Sequence, residues 1–270
     1  MNWFDSHCHL QEYLNKGILE DVLIRAEKNK VIRMTAVGTS PDDWLIYQSL
    51  SRQYKETIFY TAGLHPCYVN NNFKKEIEQM EDFFESNSPP VAVGEVGLDY
   101  FHLPNDKSLA DQIIRMQKMA FSQQVAVALK FDLPLIVHSR GAFEDCMKIL
   151  ELAQANWGKV LFHCFSEGEK EMQKLKDRGG RASFTGMLTY KKNDFVRNAM
   201  KLQGLENIIL ETDSPYLSPV PKRGKQNEPS NLAIIGEYTA RLFGVEIKDV
   251  AHWSFLNTNT FYGLEPTGKA

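Results

Sequence analysis

Residues 133–138 read Leu-Pro-Leu-Ile-Val-His, a short apolar run that ends in a histidine. Before it, Leu109–Phe131 is rich in Gln, Ala and Met, which favour helix, and after it Phe143–Asn156 has a helical pattern. A continuous apolar strand between two helices is typical of a parallel sheet that is covered on both faces. This stretch therefore predicts an α/β fold and places His138 at the end of a buried strand.

The same alternation recurs along the chain. Eight apolar runs predict strands at Trp3–Cys8, Val31–Gly38, Thr57–Leu64, Val91–Val96, Leu133–His138, Val160–Phe165, Arg181–Thr185 and Asn207–Thr212. Further helical patterns lie at Ile18–Asn29 and Glu169–Arg178. Eight strand-then-helix units favour a closed (β/α)8 barrel of the TIM type, whose usual size is about 250 residues. The main alternative, an open doubly wound sheet, would usually show fewer strands and often a Gly-rich phosphate loop, and no Gly-x-Gly-x-x-Gly or Walker A motif occurs.

The bulk composition is that of an ordinary globular chain. Of the 270 residues 43% are hydrophobic, and the net charge of −3 argues against binding nucleic acid over the whole surface. The Pro/Gly-rich stretch Ser218–Pro229 follows the eighth strand and is interpreted as an active-site loop, so we expect residues 1–270 to form a single barrel domain. We see no signal-peptide pattern, no apolar run of membrane-spanning length and no Cys-x-x-Cys pair. We therefore expect a cytoplasmic protein with reduced thiols, no membrane association and no obligate protein partner.

Histidines and carboxylates lie at the predicted strand ends. His7 and His9 close the first strand and point the same way, because side chains alternate along a strand. The others are His65, Glu95, His138, His163 and Asp213, at the ends of strands three, four, five, six and eight. The alternative interpretation of a His-x-His pattern on its own is a strand end with two solvent-exposed histidines. The carboxyl ends of barrel strands surround the active site, however, so we expect these side chains to meet at the barrel mouth.

This donor set indicates a metal site. Imidazole and carboxylate fit Zn, Mn, Fe, Co or Ni, and fit Mg where water and carboxylate dominate. The candidate ligands are His7, His9, Glu95, His138, His163 and Asp213. Six ligands exceed what one tetrahedral ion with an open position uses, so we predict two divalent ions (Zn, Mg or Mn), with Glu95 as the candidate bridge. Two such ions supply a hydroxide nucleophile near neutral pH and a Lewis acid.

Six short motifs carry a resemblance to a known family. They are Phe4-Asp5-Ser6-His7-Cys8-His9-Leu10, Gly63-Leu64-His65-Pro66, Gly94-Glu95-Val96-Gly97-Leu98-Asp99-Tyr100, Val137-His138-Ser139-Arg140, His163-Cys164-Phe165-Ser166 and Glu211-Thr212-Asp213-Ser214-Pro215-Tyr216-Leu217. In this order they resemble the motif series of TatD-type DNases, which are metal-dependent hydrolases of the amidohydrolase superfamily. Residues 223–229 are similar to that family's late loop, and the resemblance extends to Phe261-Tyr262-Gly263.

The resemblance implies a (β/α)8 barrel with two divalent ions. It assigns His7, His9, Glu95 and Asp213 to one ion and Glu95, His138 and His163 to the other, and it gives Asp213 the orientation or deprotonation of the attacking water. The implied activity is 3′-to-5′ exonuclease cleavage of DNA, and some members hydrolyse other esters, including D-aminoacyl-tRNA. One departure is Glu167, which stands where the family usually has Gly. This extra carboxylate near the mouth would weaken phosphate binding or narrow the substrate range.

Other residues near the strand ends have two interpretations each. Arg140 either clamps a phosphate or pairs with an acid such as Glu144. His65 either donates to a phosphate oxygen or leaving group, or orders the loop before Pro66. The aromatic residues near strand ends either stack on bases or pack in the core; they are Tyr68, Tyr100, Phe101 and Tyr216. We interpret His102 as a surface or loop histidine.

Three functional hypotheses follow. The first is a phosphoester hydrolase with DNA as substrate, in which Asp213, Glu95, His65 and Arg140 carry the catalysis. The second is a hydrolase of acyl esters or amides, such as D-aminoacyl-tRNA, or of small phosphoesters, because the same metal pair polarises a carbonyl. The third is a non-catalytic binding barrel, which ranks last because all six candidate ligands are present.

Overall fold

The computed structural model describes residues 1–265. Within them, strands and helices alternate along the chain. The strands are β1 (Trp3–Cys8), β2 (Val31–Ala36), β3 (Ile58–Tyr60), β4 (Val93–Asp99), β5 (Leu135–Arg140), β6 (Val160–Phe162), β7 (Arg181–Phe184) and β8 (Ile209–Leu210). The helices are α1 (Gln11–Asn15), α2 (Leu19–Lys28), α3 (Pro41–Gln53), α4 (Phe73–Phe84), α5 (Lys107–Lys130), α6 (Phe143–Leu152), α7 (Glu169–Asp177), α8 (Asp194–Gln203), α9 (Leu232–Phe243) and α10 (Ile247–Phe261). No helix in this part of the chain is long and apolar enough to cross a membrane.

The chain forms two compact units. The first unit comprises Met1–Ala36, Lys55–Phe59 and Cys164–Ala270, and the second comprises Val37–Tyr54 and Tyr60–His163. Strands β1, β2, β7 and β8 therefore belong to the first unit, and β4, β5 and β6 to the second.

Parallel pairing organises the strands of the first unit. Strand β1 pairs with β2, with Phe4 opposite Arg33, and β7 pairs with β8, with Ser183 opposite Ile209. A further parallel bridge joins Cys8, at the end of β1, to Ser214, four residues after β8. This bridge fixes the end of β1 against the segment that carries Asp213.

The core of the first unit lies between β1 and the C-terminal helices. The ring of Phe4 lies 5.6 Å from that of Phe59 and 6.0 Å from that of Tyr262, measured between centroids. Helix α9 approaches β1 closely because Gly236 has no side chain. A Cβ atom at position 236 would lie only 2.1 Å from the ring of Trp3.

Parallel pairing also organises the second unit. Strand β4 pairs with β5, with Gly97 opposite His138 and Asp99 opposite Arg140, and β5 pairs in turn with β6. Gly97 has φ +137°, and a Cβ atom there would lie 2.0 Å from the carbonyl oxygen of His138. Only glycine satisfies both the backbone angle and the close approach, so this residue sets the position of His138 relative to β4.

The ends of several strands differ from the sequence prediction. Strand β4 continues to Asp99, so the prediction that Glu95 closes it was wrong, and β5 likewise continues past His138 to Arg140. In the structure Gly97 lies opposite His138 and allows β4 to continue beside β5. Strand β3 ends at Tyr60 instead of Leu64, which leaves His65 just before a short 3₁₀ turn, Pro66–Tyr68.

Candidate functional site

Two histidines and an aspartate converge in the first unit. The Nε2 atoms of His7 and His9 lie 3.3 Å apart. Oδ1 of Asp213 lies 3.7 Å from Nε2 of His7 and 3.5 Å from Nε2 of His9. We call this group, His7, His9 and Asp213, the His7 cluster. Three of the predicted ligands are thus within reach of one another.

Backbone hydrogen bonds hold Asp213 beside β1. Its N–H donates to the carbonyl of His7 at 2.9 Å, and the N–H of His9 donates to the carbonyl of Ser214 at 2.7 Å. Asp213 has φ +51°, a left-handed conformation that aspartate tolerates better than most residues. The surrounding backbone hydrogen bonds hold Asp213 in this conformation.

A buried carboxylate that the sequence reasoning missed supports the same segment. Asp5 is fully buried on β1, and its carboxylate accepts hydrogen bonds from the N–H of Thr212 at 2.8 Å and from the hydroxyl of Thr212 at 2.5 Å. Asp5 and His7 share a strand face, because alternate residues point the same way. The alternation of side chains along β1 could have identified Asp5 as a residue that holds the segment leading to Asp213.

Three imidazoles surround one carboxylate oxygen in the second unit. Oε1 of Glu95 lies 2.7 Å from Nδ1 of His138, 2.7 Å from Nε2 of His163 and 3.3 Å from Nε2 of His65. Nδ1 of His138 and Nε2 of His163 are themselves 3.3 Å apart. We call Glu95, His138 and His163 the Glu95 cluster, with His65 against its side.

The hydrogen bonds of His65 indicate where its ring proton lies. Its Nδ1 accepts a hydrogen bond from the backbone N–H of Cys67 at 3.1 Å. The ring proton therefore belongs on Nε2, which faces Glu95 and donates to its carboxylate. An Nε2 atom that is protonated in this way has no lone pair for a metal ion, and the exclusion of His65 from the six ligands stays a prediction. Burial lowers the pKa of His65, although the charge of Glu95 opposes the shift.

His138 lies between two carboxylates. Its Nδ1 faces Glu95, and its Nε2 lies 3.2 Å from Oδ2 of Asp99. Burial alone would lower the pKa of His138, but the hydrogen bonds with Asp99 and Glu95 outweigh it and raise that pKa. Sequence reasoning gave Asp99 no role, although it lies four residues after Glu95 in the same motif and therefore on the same face of β4.

The protonation state of Glu95 follows from its neighbours. Burial pushes its pKa upward, whereas the charges of His163 and His65 and the hydrogen bonds from His138 and His163 hold the pKa well below its usual range. Glu95 is therefore ionised at neutral pH. A fully enclosed carboxylate in this state needs cationic or donor partners.

The donor chemistry of both clusters fits a divalent metal ion. Each cluster directs two imidazole nitrogens and one carboxylate oxygen toward each other within 3.7 Å. Nitrogen and oxygen ligands of this kind suit Zn, Mn, Fe, Co or Ni. On the other side of the His138 imidazole lies the carboxylate of Asp99, an arrangement that orients histidine ligands in known metal sites.

The aromatic residues near the strand ends have different contacts, and one of them packs against Arg140. The guanidinium of Arg140 stacks over the ring of Phe101 at 4.0 Å from its centroid. Tyr216 is 60% exposed and its ring contacts that of His9, while Tyr68 is 55% exposed and its ring contacts that of His65. Tyr100 differs, because its hydroxyl donates to the carboxylate of Asp145 at 2.7 Å.

The loop after β8 is anchored by buried polar contacts. The side-chain amide of Asn227 donates to the carbonyl of Thr212 at 2.9 Å, and Glu228 pairs with Arg25 at 2.8 Å. Arg223 stacks over the ring of Tyr190, 4.2 Å from its centroid. Asn227 and Glu228 are thus structural anchors of the loop.

Two acids next to the predicted ligands have distinct surroundings. The buried carboxylate of Glu211 accepts hydrogen bonds from the N–H of Cys164 and the hydroxyl of Ser183, both at 2.6 Å. Glu167, the departure noted in the sequence, is half-buried directly before Gly168, the N-cap of α7.

Comparisons with known proteins give a consistent result. The family described as TatD related DNase matches residues 4–263. An uncharacterized metal-dependent hydrolase, YcfH of Escherichia coli (strain K12), is 35% identical over 92% of this chain and 90% of its own length. An uncharacterized metal-dependent hydrolase of Buchnera aphidicola subsp. Acyrthosiphon pisum is 34% identical over 96% of this chain and 98% of its own length.

Solved structures agree on the fold. The crystal structure of YJJV, a TatD homolog from Escherichia coli k12, superposes with a TM-score of 0.88 over 97% of this chain and 98% of that chain, at 24% identity. A hydrolase TatD family protein from Entamoeba histolytica gives a TM-score of 0.85 over 99% of each chain, at 22% identity. The predicted (β/α)8 barrel fold is thereby confirmed.

Proposed function

Because the chain belongs to the family of TatD-related DNases, whose curated relatives are metal-dependent hydrolases, we propose that it removes nucleotides from the 3′ end of DNA by metal-dependent hydrolysis of phosphodiester bonds. The observation that carries the proposal is the Glu95 cluster. A single ionised carboxylate oxygen there lies 2.7 Å from imidazole nitrogens of both His138 and His163. Such a donor set is suited to a hydrolytic metal ion.

We assign one ion to each cluster. His7, His9 and Asp213 would hold one, and Glu95, His138 and His163 would hold the other. That Glu95 also binds the first ion, and so bridges the two, stays a prediction from the sequence. When bound, divalent ions of this kind lower the pKa of water and polarise the scissile ester.

The protein's own residues have separate tasks in the proposed reaction. Asp213 orients the attacking water and accepts its proton; the hydrogen bond from its backbone N–H to the carbonyl of His7 holds its backbone beside β1. The Nε2 proton of His65 orients the carboxylate of Glu95. Arg140, whose guanidinium lies over the ring of Phe101, offers its N–H groups to a phosphate.

Exposed aromatic rings beside the predicted ligands favour a nucleic acid as substrate. Tyr216 contacts His9, and Tyr68 contacts His65, and both rings are more than half exposed. Base stacking on such rings tolerates any sequence and is worth about 1–3 kcal/mol per base. Stacking on either ring would hold a strand end without base-specific contacts.

Product lengths test the activity and its polarity. Metal-stripped protein is incubated with a 5′-labelled single-stranded oligonucleotide after adding back Mg, Mn or Zn, and products are separated on a gel. We expect a metal-dependent ladder that shortens from the 3′ end. The Asp213→Asn variant is the matched control for contaminating nuclease.

Other substrates decide between the candidate activities. Folded, metal-loaded protein that leaves the oligonucleotide intact with every metal contradicts the DNase proposal. Release of D-amino acid from D-aminoacyl-tRNA, or of phosphate from small phosphoesters, by that same preparation would move the assignment to those substrates and retain the metal site.

A further inference from the structure

A second group of donors lies in the loops after β3 and β4. Nδ1 of His102 lies 2.8 Å from Oδ2 of Asp99 and 3.8 Å from Sγ of Cys67. All three donor atoms lie within 4.8 Å of one another. We propose that Cys67, Asp99 and His102 form an additional site for a zinc-type divalent ion, separate from the six ligands assigned above. We call this group the Cys67 site.

The backbone orients the carboxylate of Asp99 toward this site. Oδ1 of Asp99 accepts hydrogen bonds from the N–H groups of Phe101 and His102, at 2.9 and 3.0 Å. These bonds hold the side chain, which is only 1% exposed, so that its other oxygen faces the ring of His102. The carboxylate is therefore held in place before any ion binds.

A buried glutamine ties the two loops together. The side-chain amide of Gln117, on α5, donates to the carbonyl of Pro66 at 3.3 Å and to that of Asp99 at 3.2 Å. Its Oε1 accepts from the N–H of Asp99 at 3.1 Å. Gln117 thus fixes the turn that carries Cys67 relative to the strand end that carries Asp99, as a preorganised ligand set requires.

The donor types suit zinc. Thiolate, imidazole and carboxylate are its usual ligands, at about 2.0–2.3 Å, so that ligand atoms of a tetrahedral ion lie roughly 3.5 Å apart. The spacing of 3.8 Å between Cys67 and His102 is close to this value, and a small opening of the Asp99–His102 pair completes the geometry. The side chain of His102 is 54% exposed and Cys67 is exposed, so water can supply the fourth ligand.

The Cys67 site shares a residue with the surroundings of the Glu95 cluster. Oδ2 of Asp99 faces both His102 and His138. An ion bound to this oxygen withdraws electron density from it and weakens it as an acceptor for His138. Filling the Cys67 site is therefore expected to reduce the metal affinity of the Glu95 cluster, since outer carboxylates strengthen a ligating histidine.

Cobalt(II) distinguishes the Cys67 site from the other clusters, because only a thiolate ligand gives a sulfur-to-cobalt charge-transfer band in the near ultraviolet. Metal-stripped full-length protein is titrated with Co(II) alone, and the band and the bound cobalt are measured together. We expect the band in the wild type and in Cys164→Ser, whose thiol adjoins His163. We expect no band and one fewer bound ion in Cys67→Ser, and about 10–100-fold weaker binding at this site in His102→Ala.

Two results would overturn the proposal. One is a wild-type protein that binds cobalt to saturation without the thiolate band. The other is a band of full intensity in Cys67→Ser. Neither result involves hydrolysis, so the outcome is independent of the proposed DNase activity.

Discussion

Oδ2 of Asp99 lies 3.2 Å from Nε2 of His138, on the side of the imidazole opposite Glu95. With a metal ion in the Glu95 cluster, a proton on Nε2 directed at Asp99 would leave the lone pair of Nδ1 for the ion, in place of the hydrogen bond that Nδ1 otherwise makes with Glu95. One carboxylate thus selects the tautomer in which His138 can bind a metal ion.

Asp99→Asn should weaken metal binding by the Glu95 cluster, because the amide is a poorer acceptor for the Nε2 proton. The expected loss is about 10–100-fold in affinity, with the fold retained. Competition with a fluorescent chelator measures it. Asp106→Asn is the matched control: its carboxylate caps α5, a role that asparagine fills equally well. Equal affinities in wild type and Asp99→Asn would remove the role given to Asp99.

Gly97 should be required for metal binding by the Glu95 cluster. Alanine there combines an unfavourable φ of +137° with a Cβ atom 2.0 Å from the carbonyl of His138, so β4 and β5 must separate. We expect Gly97→Ala to unfold at a lower temperature and to lose bound metal. Each of the two sources of strain should lower the free energy of unfolding by about 1–3 kcal/mol. Calorimetry and metal analysis check both effects.

Gly17→Ala is the control for backbone strain alone. Gly17 also has positive φ, at +67°, but a Cβ atom there would meet no other atom within 4 Å. Its substitution should cost only about 1 kcal/mol and leave bound metal unchanged. If Gly97→Ala were as stable as Gly17→Ala and bound as much metal, the close approach of β4 to the carbonyl of His138 would not be required for stability or for metal binding.

Asp213→Asn should keep the fold and lose most turnover. The backbone N–H that donates to His7 is unaffected by the substitution, whereas the amide cannot accept a proton from water. We expect kcat to fall by about 10²–10⁴-fold. Circular dichroism establishes folding, and initial rates on the labelled oligonucleotide establish turnover. Wild-type turnover in a folded, metal-loaded variant would exclude Asp213 as the proton acceptor.

Metal stoichiometry should separate the two clusters. His9→Ala should reduce bound metal by one ion through the His7 cluster, and His163→Ala by one ion through the Glu95 cluster. The sequence assigns Glu95 to both ions, so Glu95→Gln should weaken binding of both. Plasma emission analysis of dialysed protein measures this. A Glu95→Gln protein that loses only one ion would restrict Glu95 to one cluster. His252→Ala, on α10, is the histidine control.

Acid should weaken the anchor of the loop after β8. Arg25 lies against Glu228; burial would raise the pKa of Glu228, but the hydrogen bonds from Arg25 and Ser230 outweigh it and lower that pKa. A carboxyl whose folded pKa is depressed contributes stability above its unfolded value of about 4.3 and loses it as pH falls through the lower folded value. The difference in urea midpoint between wild type and Glu228→Gln should therefore be larger near neutral pH than at about pH 3. A difference that grows toward acid would reverse the sign assigned to this pair.

The sequence predicts the order of the strands better than their ends. β1 was predicted residue for residue, because its apolar residues are bounded by turns and its histidines terminate it. The predicted end of β4 was wrong because the apolar run stops at Val96, whereas the strand continues through Gly97, whose role depends on the carbonyl of His138, more than 40 residues away in sequence. Local pattern cannot show such a contact.

Candidate ligands were found more readily than the residues that orient them. His7, His9 and Asp213 stand out as polar residues at the ends of apolar runs. Asp5 and Asp99 act through Thr212 and His138, and their partners become visible only when distant segments are brought together. The interpretation of His102 as a surface histidine was incomplete for the same reason: its exposed ring is tied to the buried Asp99.

In the proposed reaction, hydrolysis depends on metal held by these clusters. To test this dependence, metal-stripped protein is titrated with Mn or Zn while bound ions and oligonucleotide hydrolysis are measured in the same samples. We predict no hydrolysis without metal. The rate should rise as metal fills the two clusters, and His9→Ala and His163→Ala should each remove one of these metal sites. Full hydrolysis by the metal-free protein, or by those two variants at low metal occupancy, would contradict the account.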